Sequence, residues 1–170
     1  MIRLTNLITE SNETKMFDQS KVNSILSDIG KITNIKNGYN SYIEYVEHRW
    51  KDGTGSFEFK WESGRGAKHG SIHVSVDSSG EWKYSISSQY GSESFVRSSP
   101  SWGVKKLKLG IKTNGWDTVT NDVLVKSWKK SKPLVIKIDK EVEKWKQKSA
   151  AAEADYYRKR GPVSGGGNMG

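Results

Sequence analysis

Three polar residues in the first half of the chain are of types that can take part in metal-assisted chemistry. Asp52, Glu58 and Lys60 form the pattern Asp-x5-Glu-x-Lys. Two carboxylates can hold Mg²⁺, and a lysine can polarise the attacking water or the phosphate. On a strand, Glu58 and Lys60 would share one face, while the aromatic residues beside them take the other. The pattern therefore raises the hypothesis of a Mg²⁺-dependent nuclease.

The same three residues resemble the core of PD-(D/E)xK-type nucleases, and that resemblance implies the same activity. The sequence departs from the family at Asp52, which is followed by Gly53 in an apparent turn and is not preceded by an apolar strand ending in Pro-Asp. An exposed strand face that carries Glu and Lys produces the same letters without any catalytic role. The nuclease is therefore kept as an alternative, and the main prediction is a protein without catalytic residues or cofactors.

No other residues form a recognisable metal or nucleophile site. His69 and His73 are four apart, but in a loop and a strand that spacing does not converge, and the chain has no cysteine. No metal site is therefore predicted, and no G-x-S-x-G elbow is present. The loop 64–70 carries an arginine, a lysine and a histidine among glycines. Its backbone could form an anion-binding nest, although a flexible hairpin loop is the simpler interpretation.

The centre of the chain has the pattern of antiparallel strands with one solvated face. Apolar and polar residues alternate between turns that are rich in Asp, Ser and Gly, and the hairpin 71–88 is the clearest unit. The alternation predicts a meander over about 42–88. The alternating residues are Phe57, Phe59 and Trp61; Ile72, Val74 and Val76; and Trp82, Tyr84 and Ile86. A fourth group, Tyr42, Val46, His48 and Trp50, has the same period, broken only by Glu44.

Helical spacing flanks this meander on both sides. Apolar residues from Phe17 to Ile29 predict a helix over 16–29, with Gly30 as its C-terminal stop. After a Ser-rich loop at 91–103, residues 104–112 predict a further strand. Asp117 or Thr118 would cap a helix that Pro133 interrupts. A second helix would run from Asp139 to about residue 160.

These elements predict a single α+β domain over residues 16–160. Its expected architecture is an antiparallel β-meander of four to five strands packed with an N-terminal helix and C-terminal helices. The Gly-rich stretch 161–170 is predicted to be a flexible tail. No apolar run approaches the length of a membrane span and no secretory signal is evident, so no membrane partner is predicted.

The positive charge is confined to the C-terminal part of this 170-residue chain. Residues 1–100 contain twelve Lys and Arg and twelve Asp and Glu, whereas residues 101–170 contain sixteen and seven, which gives the whole net charge of +9. Such a segment attracts polyanions because neutralised phosphates release counterions. The alternative is a lysine-rich solvated face. The predicted contacts with the DNA backbone are Lys105, Lys106, Lys108, Lys112, Lys144, Trp145, Lys146, Lys148, Arg158, Lys159 and Arg160.

Four of the seven tryptophans lie in this basic part, at 102, 116, 128 and 145. Exposed Trp beside Lys is typical of grooves that stack single-stranded bases. Large aromatic side chains are more often buried, so a role in the core is favoured for most of them. Trp145 is the exception, because lysines surround it and few apolar residues are near it in sequence.

The beginning of the chain is a short apolar segment that ends in Leu7-Ile8-Thr9-Glu10 and is followed by polar residues. It resembles the capsid-targeting leader of internal head proteins of T-even-type bacteriophages. The resemblance covers residues 1–10 and implies recognition of Leu7, Ile8 and Thr9 and cleavage after Glu10. It also implies a basic protein packaged with DNA, located in the virion, and in the host cytoplasm during assembly or after injection. The alternative in this setting is a head or tail decoration protein that binds other virion proteins and no DNA.

Overall fold

The computed structural model describes residues 17–64, 67–90, 101–114, 116 and 120–160. It confirms the α+β class: five consecutive antiparallel strands form one sheet in the order β1-β2-β3-β4-β5, with one helix before the sheet and one after it. The elements are α1 (Gln19–Thr33), β1 (Tyr42–Arg49), β2 (Gly55–Ser63), β3 (Lys68–Val76), β4 (Glu81–Tyr90), β5 (Ser101–Lys112) and α2 (Asn121–Arg160).

The strand alternation buries one face of the sheet under the two helices. Phe57 on β2, Val74 on β3 and Tyr84 on β4 lie directly beside one another in the register, and all three are buried. The nine alternating residues predicted on β2, β3 and β4 are all in the core. The polar residues between them line the opposite face, which we call the open face. No described helix covers it.

The predicted phase of β1 is wrong. Tyr45 and Glu47 face the helices, beside Phe59 and Phe57 of β2, whereas His48 is exposed. The Tyr45 ring packs against Phe59 with 5.0 Å between ring centroids. The Tyr45 hydroxyl donates a hydrogen bond of 2.6 Å to Glu47 Oε2, which compensates the inward position of a carboxylate. The alternation of residue types could not predict this position of Glu47, because it depends on a hydrogen bond from the Tyr45 side chain.

Helix α1 begins and ends later than predicted. The Asp18 side chain accepts a hydrogen bond from the Ser20 amide at 3.1 Å and so caps the first turn. The helix continues through Gly30 to Thr33 and is followed by the C-cap residue Asn34, which has a left-handed φ of 60°. A Cβ on Gly30 would lie 3.2 Å from the Ile35 carbonyl oxygen and from Ile43. Gly30 therefore allows close packing of α1 against its surroundings and does not terminate the helix.

The prediction of two C-terminal helices separated at Pro133 is also wrong. Helix α2 runs without interruption for 40 residues, and Pro133 and Asp139 both lie inside it. Pro133 is exposed, so the carbonyl group that loses its helical partner can be solvated. The buried residues Val135, Ile138 and Val142 continue the stripe that begins before the proline. Packing of this stripe on the sheet outweighs the local cost of proline. The predicted caps Asp117 and Thr118 lie outside the described residues.

A buried lysine joins β3 to both helices. Lys68 Nζ donates to the Thr33 carbonyl oxygen at the end of α1 and to Glu143 Oε2 of α2, each at 2.7 Å, and lies 2.9 Å from Asp139 Oδ1. Burial raises the pKa of Asp139, and the hydrogen bond from Lys68 lowers the pKa of Glu143. We call this group the Lys68 clasp.

Candidate nucleic-acid interface

The four lysines predicted on the last strand are all exposed. Lys105, Lys106, Lys108 and Lys112 lie on β5, an edge strand of the sheet. Lys106 Nζ lies 3.2 Å from Ser75 Oγ, and Lys108 Nζ lies 3.5 Å from Glu81 Oε2, so both side chains extend over the open face. The strand therefore presents a basic edge, as its sequence predicted.

Three further lysines, absent from the prediction, line a groove beside this edge. Lys126, Lys129 and Lys130 lie on the first turns of α2 and face Ile111 and Thr113 at the end of β5. We call this opening, of about 840 Å³, the β5–α2 groove. The spacing of the lysines, i, i+3 and i+4, places them together on a helix, and this signal was present in the sequence.

The remaining predicted contacts lie at the far end of α2. Val142 is the last buried residue of the helix, and residues 144–160 are exposed or half-buried. We call residues 144–160 the α2 arm. Its seventeen residues span about 25 Å at 1.5 Å per residue. It carries six Lys and Arg but only two acidic residues, Glu153 and Asp155.

Four of the six cations share one face of the arm. With about 100° of rotation per residue, Lys144, Lys148, Arg158 and Lys159 point away from the side on which Val142 is buried. Lys144 lies 3.6 Å from Glu141, and Asp155 forms ion pairs with both Arg158 and Lys159. Lys148 has no carboxylate of the described residues within 4.0 Å.

The other two cations of the arm are engaged elsewhere. Lys146 borders the pocket of the Lys68 clasp, where its charge acts on Asp139 and Glu143. Arg160 donates a hydrogen bond of 2.6 Å to the Tyr156 hydroxyl, and its guanidinium carbon lies 5.2 Å from the centroid of that ring. The Tyr156 and Tyr157 rings are both about half exposed.

Two of the acidic residues of α2 are paired with a lysine of the sheet. Asp139 and Glu143 bind the buried Lys68, which belongs to β3. The outward surface of α2 is consequently more positive than the sequence count of the helix indicates.

The tryptophans of the basic part do not form a stacking set. Trp116 is buried, Trp102 and Trp128 pack against the core, and Trp128 Nε1 donates to Asp28 Oδ2 at 3.2 Å. Trp145 is half-buried and lies outside the core cluster.

The three residues of the nuclease pattern do not assemble a metal centre. The Asp52 carboxylate accepts hydrogen bonds from Thr54 in the turn before β2. Glu58 and Lys60 share the open face, as predicted, but Lys60 Nζ lies within 4.0 Å of Glu58 and Glu44, at 3.9 and 3.6 Å. Within the described ranges, no group of three or more potential metal ligands is placed to hold an ion.

The loop predicted at 64–70 is shorter than expected, because β3 begins at Lys68. Lys68 is unavailable to phosphate, since its ammonium group is used in the clasp. Arg65 lies outside the described residues, as do Leu7, Ile8, Thr9 and Glu10 of the leader and the predicted tail 161–170.

The chain matches no protein family, no curated protein and no solved structure in the comparisons. None of the helices in the described part is both long and apolar enough to cross a membrane. Function must therefore be inferred from the residues and their arrangement.

Proposed function

We propose that this protein binds the phosphate backbone of double-stranded DNA without sequence preference, through the outward face of the α2 arm, and is packaged with DNA in a bacteriophage head. The observation that carries the DNA proposal is the arm itself. It is a basic helical segment of about 25 Å that leaves the core after Val142. A helix of this width can enter the major groove, and its cations can reach the flanking phosphates.

The composition of the outward face of the α2 arm supports contact with the phosphate backbone of DNA. Ala151 lies between Lys148 and the cations at 158 and 159, so the helix axis can approach DNA closely. Lys and Arg act there as charges that release counterions, a mode of binding that needs no base recognition. The lysines of β5 contribute positive potential that attracts DNA to the molecule over longer distances.

Packaging in the head is supported by the resemblance of residues 1–10 to a capsid-targeting leader. A basic protein that binds DNA without sequence preference suits such a location, because packaged DNA presents phosphates at high density. The expected partners are therefore DNA and, during assembly, other virion proteins.

The test is the salt dependence of binding to a short mixed-sequence duplex. We expect the affinity to fall steeply between about 50 and 200 mM salt. A variant carrying Lys144→Gln, Lys148→Gln, Arg158→Gln and Lys159→Gln should reduce the slope of log K against log salt by about 3 to 4. Fluorescence anisotropy of a labelled duplex measures both quantities.

The matched control removes four exposed lysines from elsewhere. Lys21, Lys31, Lys36 and Lys51 are exposed and lie outside α2 and β5, so their replacement by Gln makes the same change in net charge. If this control lowered the slope as much as the arm variant, DNA would be responding to net charge and the assignment to the arm would be wrong.

A further inference from the structure

Two large aliphatic side chains are exposed among the described residues. Both lie on the elements that border the β5–α2 groove. Leu107 on β5 is 41% exposed, and Val125 on α2 is 47% exposed; the other exposed large apolar side chains are aromatic. Val125 lines the groove directly. Leu107 lies on β5 beside Tyr84, on the side of the sheet that faces the helices. Neither side chain is needed to complete the core, so both are available to a partner.

The groove combines this apolar surface with positive charge. The half-buried Ile111 and the buried Val123 form its apolar lining, and Lys126, Lys129 and Lys130 contribute three ammonium groups against the single carboxylate of Asp122. Within the described part of the chain, no carboxylate lies within 4.0 Å of these three ammonium groups. A volume of about 840 Å³ accommodates several side chains. A ligand for this groove must therefore bring both apolar groups and negative charge.

The strand beside the groove has an unpaired edge. β5 pairs with β4 on one side, and no described strand lies on its other side. Exposed strand edges bind extended peptides through backbone hydrogen bonds, and lysines on such an edge discourage pairing with a second, equally basic copy. The same lysines attract a strand of opposite charge.

We propose that the β5–α2 groove binds an acidic, extended segment of a protein partner, which adds as a strand to the free edge of β5. Side chains alternate along such a segment. Those directed toward α2 contact Val125 and Ile111, and those directed toward the open face place carboxylates near Lys106 and Lys108. Lys126, Lys129 and Lys130 attract the net negative charge of the segment. This proposal is independent of DNA binding by the α2 arm, since it uses different residues.

The exposed aliphatic groups favour a peptide over DNA at this position. A phosphate backbone offers charge but no apolar group to cover Val125 or Leu107. The groove is concave, whereas the arm is a convex helix that a duplex can surround. The test must therefore distinguish DNA binding in the groove from peptide binding in the groove.

The probe is the peptide acetyl-Glu-Val-Glu-Val-Glu-Val-Glu-amide, titrated into the full chain by calorimetry. Its control is the same peptide with Ser at each Val position, which keeps the charge and removes the apolar groups. We expect the Val peptide to bind about tenfold more tightly or better. Equal affinities would show that charge alone is recognised and would overturn the proposal.

Two protein variants locate the binding. Val125→Asp, at an exposed position, should weaken the Val peptide about tenfold or more, because it places a carboxylate against the acidic probe. Should this variant fail to fold, Lys129→Glu with Lys130→Glu is the second test and should give a loss of similar size. The matched control is Lys21→Glu with Lys36→Glu, which has the same change in charge and should retain more of the affinity.

The short duplex used for the arm distinguishes the two macromolecules. If Val125→Asp and the Lys129/Lys130 variant abolished duplex binding and left peptide binding unchanged, the groove would be a DNA site and the peptide proposal would be overturned. Loss of peptide binding alone, with the duplex still bound, is the result that supports it.

Discussion

At the scale of single residues, Lys68 illustrates how a buried charge positions a helix. The polar contacts of its ammonium group come from both helices: the last residue of α1 and two carboxylates within α2. A buried ammonium group requires such partners, and the partners in turn depend on it. The clasp fixes α2 just before the arm leaves the domain.

We therefore expect Lys68→Met to lower the free energy of unfolding by about 2 to 3 kcal/mol, since it leaves Asp139 and Glu143 without their cation. Urea denaturation measures the change. Lys144→Met is the control, because Lys144 forms a solvent-exposed pair worth about 0.5 kcal/mol or less. A loss at position 68 no larger than the control would show that the clasp does not hold the helix.

Asp77, in the turn between β3 and β4, makes a pH-dependent contribution to the stability of the folded protein. Its carboxylate accepts hydrogen bonds from the Ser79 side chain and amide and from Lys83 Nζ at 3.2 Å, which lower its pKa to about 2. Because the folded pKa lies below the ordinary value of 3.8, the contribution is present above about pH 4 and is lost as the pH falls toward 2.

The prediction is that Asp77→Asn is less stable than the parent at pH 6 and that this difference narrows as the pH falls below 4. Unfolding in urea at several pH values gives the comparison. A difference that stayed constant down to about pH 2.5 would contradict the assigned pKa.

At the scale of elements, the period of the apolar residues predicted the strands well and the helix boundaries poorly. β2, β3 and β4 follow their alternation because one face of each packs in the core. Local propensity predicts a helix stop at Gly30 and a helix break at Pro133, and packing against Ile43 and the sheet overrides both. Tertiary contacts of this kind leave no local pattern in the sequence.

The outward face of the α2 arm contains one carboxylate that competes with DNA. Asp155 forms ion pairs with Arg158 and Lys159, the latter at 3.3 Å. We expect Asp155→Ala to raise the affinity for the short duplex and to steepen the salt slope by about 1 to 2, because two cations, Arg158 and Lys159, become available to phosphate. Glu153→Ala changes the net charge equally but lies on the other side of the arm. Equal gains from the two variants would contradict a specific outward face.

At the scale of the whole molecule, the positive charge of the C-terminal part lies in two separate regions. The predicted basic residues divide between β5 and the α2 arm, and the lysines of α2 at 126, 129 and 130 join the first group. Composition predicted that the C-terminal part is basic. It did not predict the groove, since that depends on β5 and α2 lying side by side. Nor did it predict the pairing of Asp139 and Glu143 with Lys68.

The leader hypothesis belongs to this scale as well, and it has its own measurement. If the protein is packaged and processed as its resemblance implies, the protein recovered from purified phage particles should begin at Ser11. Intact-mass spectrometry decides this, and the same protein made without the phage protease is the control. A recovered mass that includes residues 1–10 would contradict processing after Glu10, while leaving the DNA proposal to its own tests.

The central claim is that DNA is held by the outward face of the α2 arm, and backbone amide chemical shifts on addition of a short duplex test it most directly. We predict that the largest shifts fall between residues 144 and 160, center on Lys148 and Arg158, and disappear as salt is raised. Shifts confined to the open face or to β5, with the arm unchanged, would contradict the claim.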